Sequence, residues 1–255
     1  MRRYHSAALE FYRQRLRDSV VVRPSSGGGG SVLCCVSPVA QGTVALAIPL
    51  CDCITVADVR GGSALGGEAF QAAMRSESVA AALDDETATL LFVLSVAANH
   101  SSTSASTGTA LSSLAMQCVS AVASAADCSH GQQPASDVQA ELQAELASIH
   151  SALFPALTNA CPAGFPADGF TLPKLVAAAT WVDVRTVPVH HSPTSLSLIV
   201  APFNGGAIQL HAMAPSVRAE VSSDELRLVA TVDLPAGSEL SLGASPWPGR
   251  ETDGH

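Results

Sequence analysis

A few residues in this chain have the types and spacing for chemistry. Cys51-Asp52-Cys53 places two thiols two positions apart, half of a metal site if a second pair or a Cys/His partner followed at zinc spacing. None follows, and in a strand-like neighbourhood a cysteine serves as a small buried apolar side chain, so no metal ligand is assigned. Gly27 to Gly30 could cradle a phosphate, but no Gly-Lys-Ser/Thr comes after them and no helix opens there, which argues against a P-loop or a dinucleotide fingerprint. His190-His191, followed by Ser192-Pro193, have no carboxylate specified to orient them and are expected in a loop. The stretch LRLVATVDLPAGSELSLGAS, residues 226–245, reads as strand, turn and strand, and ends on Gly243, Ala244 and Ser245. None of these three titrates near neutral pH.

The elements that must position such residues follow from the apolar pattern. After the glycine run, VLCC and VALAIP are β-rich runs separated by Pro38 to Gly42, the pattern of a loop and then a hairpin over residues 31–50. DDETATLLFVLSVAAN opens on acidic residues and predicts a buried helix. Residues 101–137 include the Ser/Thr/Ala-rich SSTSASTGTALSSL, a low-complexity insertion. VQAELQAELASIHSALF carries Leu142, Leu146, Ile149 and Leu153 at helical spacing, with His150 beside the stripe as a surface or capping residue. A helix opened by Thr171 and Pro173 carries Trp181 and Arg185 near its end. LSLIVAP, VRAEV and LRLVATV then read as strands. The fold class is α+β, with strand regions at both ends and a helical insertion at about 84–185 between them.

Composition bounds the partners. The chain has 255 residues, 47% of them hydrophobic, ample for a core. Residues 1–23 carry six arginines against Glu10 and Asp18, a net +4, which leaves seven basic and twenty acidic groups, or −13, for the rest. A body that acidic argues against a nucleic-acid surface. Seven cysteines, an odd number, fit reduced thiols in an intracellular compartment. The most apolar run, residues 90–98, has nine residues where a bilayer needs roughly 20, so no membrane span is expected. Residues 1–24 read as an N-terminal helix or as an arginine-rich targeting leader, the latter implying mitochondria and the former the cytoplasm or nucleus.

The motifs in order carry a resemblance. LVATVDLPAGSELSLGAS resembles the closing segment of a SET domain, L-x-A-x-x-D-I-x-x-G-E-E-L-x-x-x-Y-G. VLCCVSPVAQGTVALAIPL is similar to that family's first hairpin, with Gly42 and Pro49 in register. WVDVRTVPV and LIVAPFNGGAIQLHA resemble two motifs of the Rubisco-methyltransferase-like branch, a helix end with a Ser-Arg pair and L-V-P-x-x-D-x-x-N-H-S. The resemblance places a SET-like domain over residues 25–250 and implies transfer of a methyl group from S-adenosylmethionine to a protein lysine. In such a domain the amine, methyl carbon and sulfur are held in line, and a tyrosine hydroxyl with backbone carbonyls lines the lysine channel.

Carried over residue by residue, the cofactor-binding positions are Gly30, Arg185, Leu210 and His211. Leu210-His211 match the Asn-His pair if Pro215 fixes the register, and Ile208-Gln209 match it if Pro202 does. The second glycine of the first motif is Val32, whose branched side chain would crowd a cofactor near the backbone. The channel tyrosine falls on Ala244, with Ser245 following, and no tyrosine occurs after Tyr12, so no catalytic residue is assigned. Eleven residues follow Ala244, so neither a helical substrate-binding domain nor a post-SET zinc cluster is expected. The motifs are degenerate. The expectation is a SET-like interaction or scaffold subunit for a protein partner or assembly, binding S-adenosylmethionine weakly or not at all. The alternative is an active lysine methyltransferase with a rearranged pocket.

Overall fold

The computed structural model describes residues 20–24, 31–61, 67–75, 83–100, 119, 122, 137–160, 165, 170–183, 185–192, 195–201, 208 and 214–242. The chain divides into two units, Met1–Ile54 with Val184–His255, and Thr55–Asp183. The first is built of strands and the second of helices, as an α+β chain with a helical insertion requires.

In the strand unit, β1 (Val20–Pro24) pairs antiparallel with β2 (Ser31–Cys35). A second sheet has β3 (Val44–Pro49) beside β8 (Glu225–Ala230), and β8 beside β7 (Val217–Ser222). A third joins β5 (Thr186–Ser192) to β6 (Ser195–Val200), with the two-residue β4 (Ile54–Thr55) on the other side of β6. Val, Ile and Leu dominate these strands, and alternation sends one set inward: Leu226 and Leu228 of β8 are fully buried while Arg227 between them is not. Residues from all three sheets close over one apolar core that includes Leu33, Leu46, Val187, Ile199, Val217 and Leu228.

Two expectations change here. Residues 31–50 do not fold back on themselves as a hairpin: β2 pairs with β1, and β3 pairs with β8, with Ile48 opposite Leu226. The turn at Gly42 instead docks on the chain around residue 230, which takes up its backbone groups. Val20–Pro24, inside the range read as a leader or first helix, is a strand, as its three successive valines favour. Residues 1–19 lie outside the described residues.

The docking has an internal symmetry. Gly42 N donates to Ala230 O (2.9 Å) and Ala230 N to Thr43 O (2.9 Å). Add 195 to Gly42 and Thr43, subtract 195 from Ala230, and the counterparts appear: Gly237 N donates to Cys35 O (2.7 Å) and Cys35 N to Ser238 O (2.8 Å). Val39 and Leu234, themselves 195 apart, exchange two bonds of 2.8 Å at the centre. Each half contains a turn closed by an i to i+3 bond, Thr43 N to Ala40 O and Ser238 N to Pro235 O, with glycine third at φ 78° and 88°. That is the type II pattern, which places glycine where a side chain would be strained. Residues 35–43 and 230–238 are thus two like turn segments joined by a reciprocal set of backbone hydrogen bonds.

The helical unit begins earlier than residue 84. It contains α1 (Val56–Arg60), α2 (Gly67–Arg75), α3 (Asp85–His100), α4 (Asp137–Ala160) and α5 (Leu172–Asp183). Thr55 and Asp58 form a reciprocal capping box that starts α1. Asp84 starts α3, its Oδ1 accepting from Thr87 N at 2.6 Å. Thr87 to Ala97 are all buried, so α3 is the apolar centre of this unit, and Phe70 of α2 meets Phe92 edge-on at 5.3 Å. Arg60 ties α1 to the start of α3 through Asp85 (2.8 Å) and Leu83 O (2.7 Å). Of the stripe expected on α4 only Leu146 is buried; the apolar face continues through Phe154 and Leu157, beyond Pro155, which the helix accommodates. Apart from Val119, Val122 and Asp137, the low-complexity range 101–137 lies outside the described residues.

Candidate functional site

Three chain segments converge at one end of the strand unit. The run 237–242 lies antiparallel to β2: Cys35 bonds Ser238, Cys34 stands opposite Glu239, and Leu240 N donates to Leu33 O at 2.9 Å. Its course is therefore toward Val32 and the start of β2. Beside it, Val217 pairs parallel with Leu242, and both Ser216 N and Val217 N donate to Ser241 O at 3.0 Å. The hydroxyls reinforce this contact: Ser241 Oγ accepts from Ser216 N (3.0 Å), Ser216 Oγ accepts from Ser241 N (2.8 Å), and the two hydroxyls are 3.2 Å apart. Each serine thus satisfies the other's backbone donor, fastening 216–217 to 241–242.

These segments lead to the expected site positions. β2 starts next after Gly30, 214–217 follows Leu210 and His211, and Leu242 stands two residues before Ala244. Gly30, Leu210, His211, Ala244 and Ser245 themselves lie outside the described residues. Arg185 is described: it lies two residues after the end of the helical unit and immediately before β5, its carbonyl accepts from Ala201 N at 3.0 Å, and its Nε is buried. Ala201 is the last described residue before 202–207, so the Arg185 carbonyl fixes the backbone where the described chain stops ahead of Leu210 in the sequence. Ile208, the other candidate for the Asn position, is buried among the core residues, an apolar structural place.

Val32 is a half-buried member of the β1–β2 ladder, opposite Arg23. A branched side chain in a paired strand does not offer the bare backbone that a glycine would present to a cofactor. Beside it, burial raises the Cys34 thiol above its usual range, with Glu239 adding to the effect and Arg23 opposing it. Burial, and then Cys34, raises Cys35. Both stay protonated near neutral pH and are poor nucleophiles.

The remaining chemical candidates disperse. Cys51 is exposed, whereas Cys53 is buried in the core with its thiol 3.7 Å from Pro49 O. Among the described residues no three His, Cys, Asp or Glu side chains are grouped to hold a metal. His190 and His191 lie in β5 rather than in a loop, because the buried Val187 and Val189 carry the strand into its pairing with β6. His150 is neither a surface nor a capping residue: half-buried, it stacks on Phe154 at 4.5 Å and its Nε2 meets Phe170 O at 2.9 Å. The composition gave no sign of Glu86. Burial, followed by Asp84, Glu145 and Asp183, pushes its carboxyl up to about 7. The signal available was the run Asp84-Asp85-Glu86 leading into an apolar helix.

Comparison with protein-family models and with curated proteins gives no match. Solved structures do match. A crystal structure of the SET domain of LSMT bound to lysine and AdoHcy aligns over 96% of this chain and 53% of its own, with a TM-score of 0.52 and 12% identity. The same domain bound to methyllysine and AdoHcy gives 0.56 and 10% over 95% of this chain, and Rubisco LSMT bound to AdoMet gives 0.52 and 13% over 95%. The chain spans about half the length of each of these proteins. Likeness at such low identity lies in the path of the backbone, and on that path the chain has a SET-domain fold.

Proposed function

We propose that this chain is a SET-fold protein whose methyl-transfer site has lapsed and that it acts as an interaction or scaffold subunit within a protein assembly. One observation supports this above the others, the register of the closing segment. Gly237 occupies the positive-φ turn position, Leu240 and Leu242 are buried, and Glu239 stands opposite Cys34. With the framework in that register, the channel tyrosine corresponds to Ala244, which has no hydroxyl to hold an amine or to stabilise the charge of a transferring methyl. Val32 in its paired strand weakens the fit of S-adenosylmethionine further, and an Asn replaced by Leu210 would leave cofactor polar groups unpaired at about 1–3 kcal/mol each. The acidic body favours a protein partner over nucleic acid. Among the described residues no helix is long and apolar enough to cross a membrane.

A second reading, an active lysine methyltransferase with a rearranged pocket, is favoured by Arg185, which matches the arginine of the family motif and lies in the chain between the helical unit and β5. Calorimetric titration with S-adenosylmethionine and with AdoHcy, together with methyl transfer onto a lysine-peptide library, separates the two. We expect no saturable binding at low micromolar concentration and no transfer. Transfer by the unaltered chain would overturn the proposal in favour of the second reading.

A further inference from the structure

We draw no further inference here: the strongest candidate, the side-chain cluster of Glu86, Glu145 and Asp183 on α3, α4 and α5 with Asp84 just before α3, is a gathering of like charges, and nothing else among the described residues points to what would occupy it.

Discussion

Glu86 has a consequence for pH. Its carboxyl, raised to about 7 by burial and then by Asp84, Glu145 and Asp183, takes up a proton in the folded chain at pH values where the unfolded chain, near 4.5, has already released it. The folded state therefore binds more protons between about 4.5 and 7, and this group's contribution to stability falls as pH rises through that window. Glu86→Gln removes the dependence. We expect the variant to melt above the wild type at pH 8 and the gap to close toward pH 5; parallel melting curves would refute the assignment. His150 is the opposite case, a polar ring kept for packing. Its bond to Phe170 O and its stack on Phe154 are together worth about 1–2 kcal/mol, so His150→Ala should lower urea-unfolding stability by that amount, and a loss near zero would mean the ring anchors nothing. On the proposal that Ala244 stands at the channel position, Ala244→Tyr alone should give no methyl transfer, because Val32 and Leu210 remain. The chain Val32→Gly, Leu210→Asn, Ala244→Tyr should gain measurable S-adenosylmethionine binding over Ala244→Tyr. Equal binding by the two would show that the positions were matched wrongly.

The two turn glycines stand at matching places in the two like segments. A Cβ at Gly42 or Gly237 meets no atom within 4 Å, so replacement strains only the backbone, at φ 78° and 88°. Gly42→Ala and Gly237→Ala should each cost about 1 kcal/mol, with asparagine costing less, as read by thermal unfolding. An alanine variant as stable as the wild type would mean that the turn relaxes to another form. Both glycines were legible in the sequence because turn chemistry is local, and so were α3, β6, β7 and β8, whose apolar runs are long or regular. The partner of β2 was not legible. VLCC gives no sign of which strand it will pair with, since its apolar residues specify burial, as seen for Leu33 and Cys35, and not a partner. β5 was obscured by Pro188 and by two histidines, which weigh against a strand locally and are overruled by pairing with β6. Of the site, the order of the segments that lead to the matched positions could be read; the serine fastening of 216 to 241 could not, because it joins residues 25 apart in the chain.

The strand unit is assembled from segments that precede and follow the helical unit in the sequence, Met1–Ile54 and Val184–His255. A fragment ending at Asp183 keeps β3 but lacks β8, its pairing partner. We expect residues 1–183 alone to be aggregation-prone and poor in strand signal by circular dichroism, and addition of residues 184–255 to restore soluble protein. A soluble, strand-rich 1–183 fragment would contradict this architecture. The 195-residue offset that relates the two turn segments also sets a timetable. Ribosomes extend a chain at about 5–20 residues per second, so the first segment waits roughly 10–40 s for the second to be made. Throughout that interval the edge of β3 that β8 will cover stands unpaired, a template open to other nascent chains.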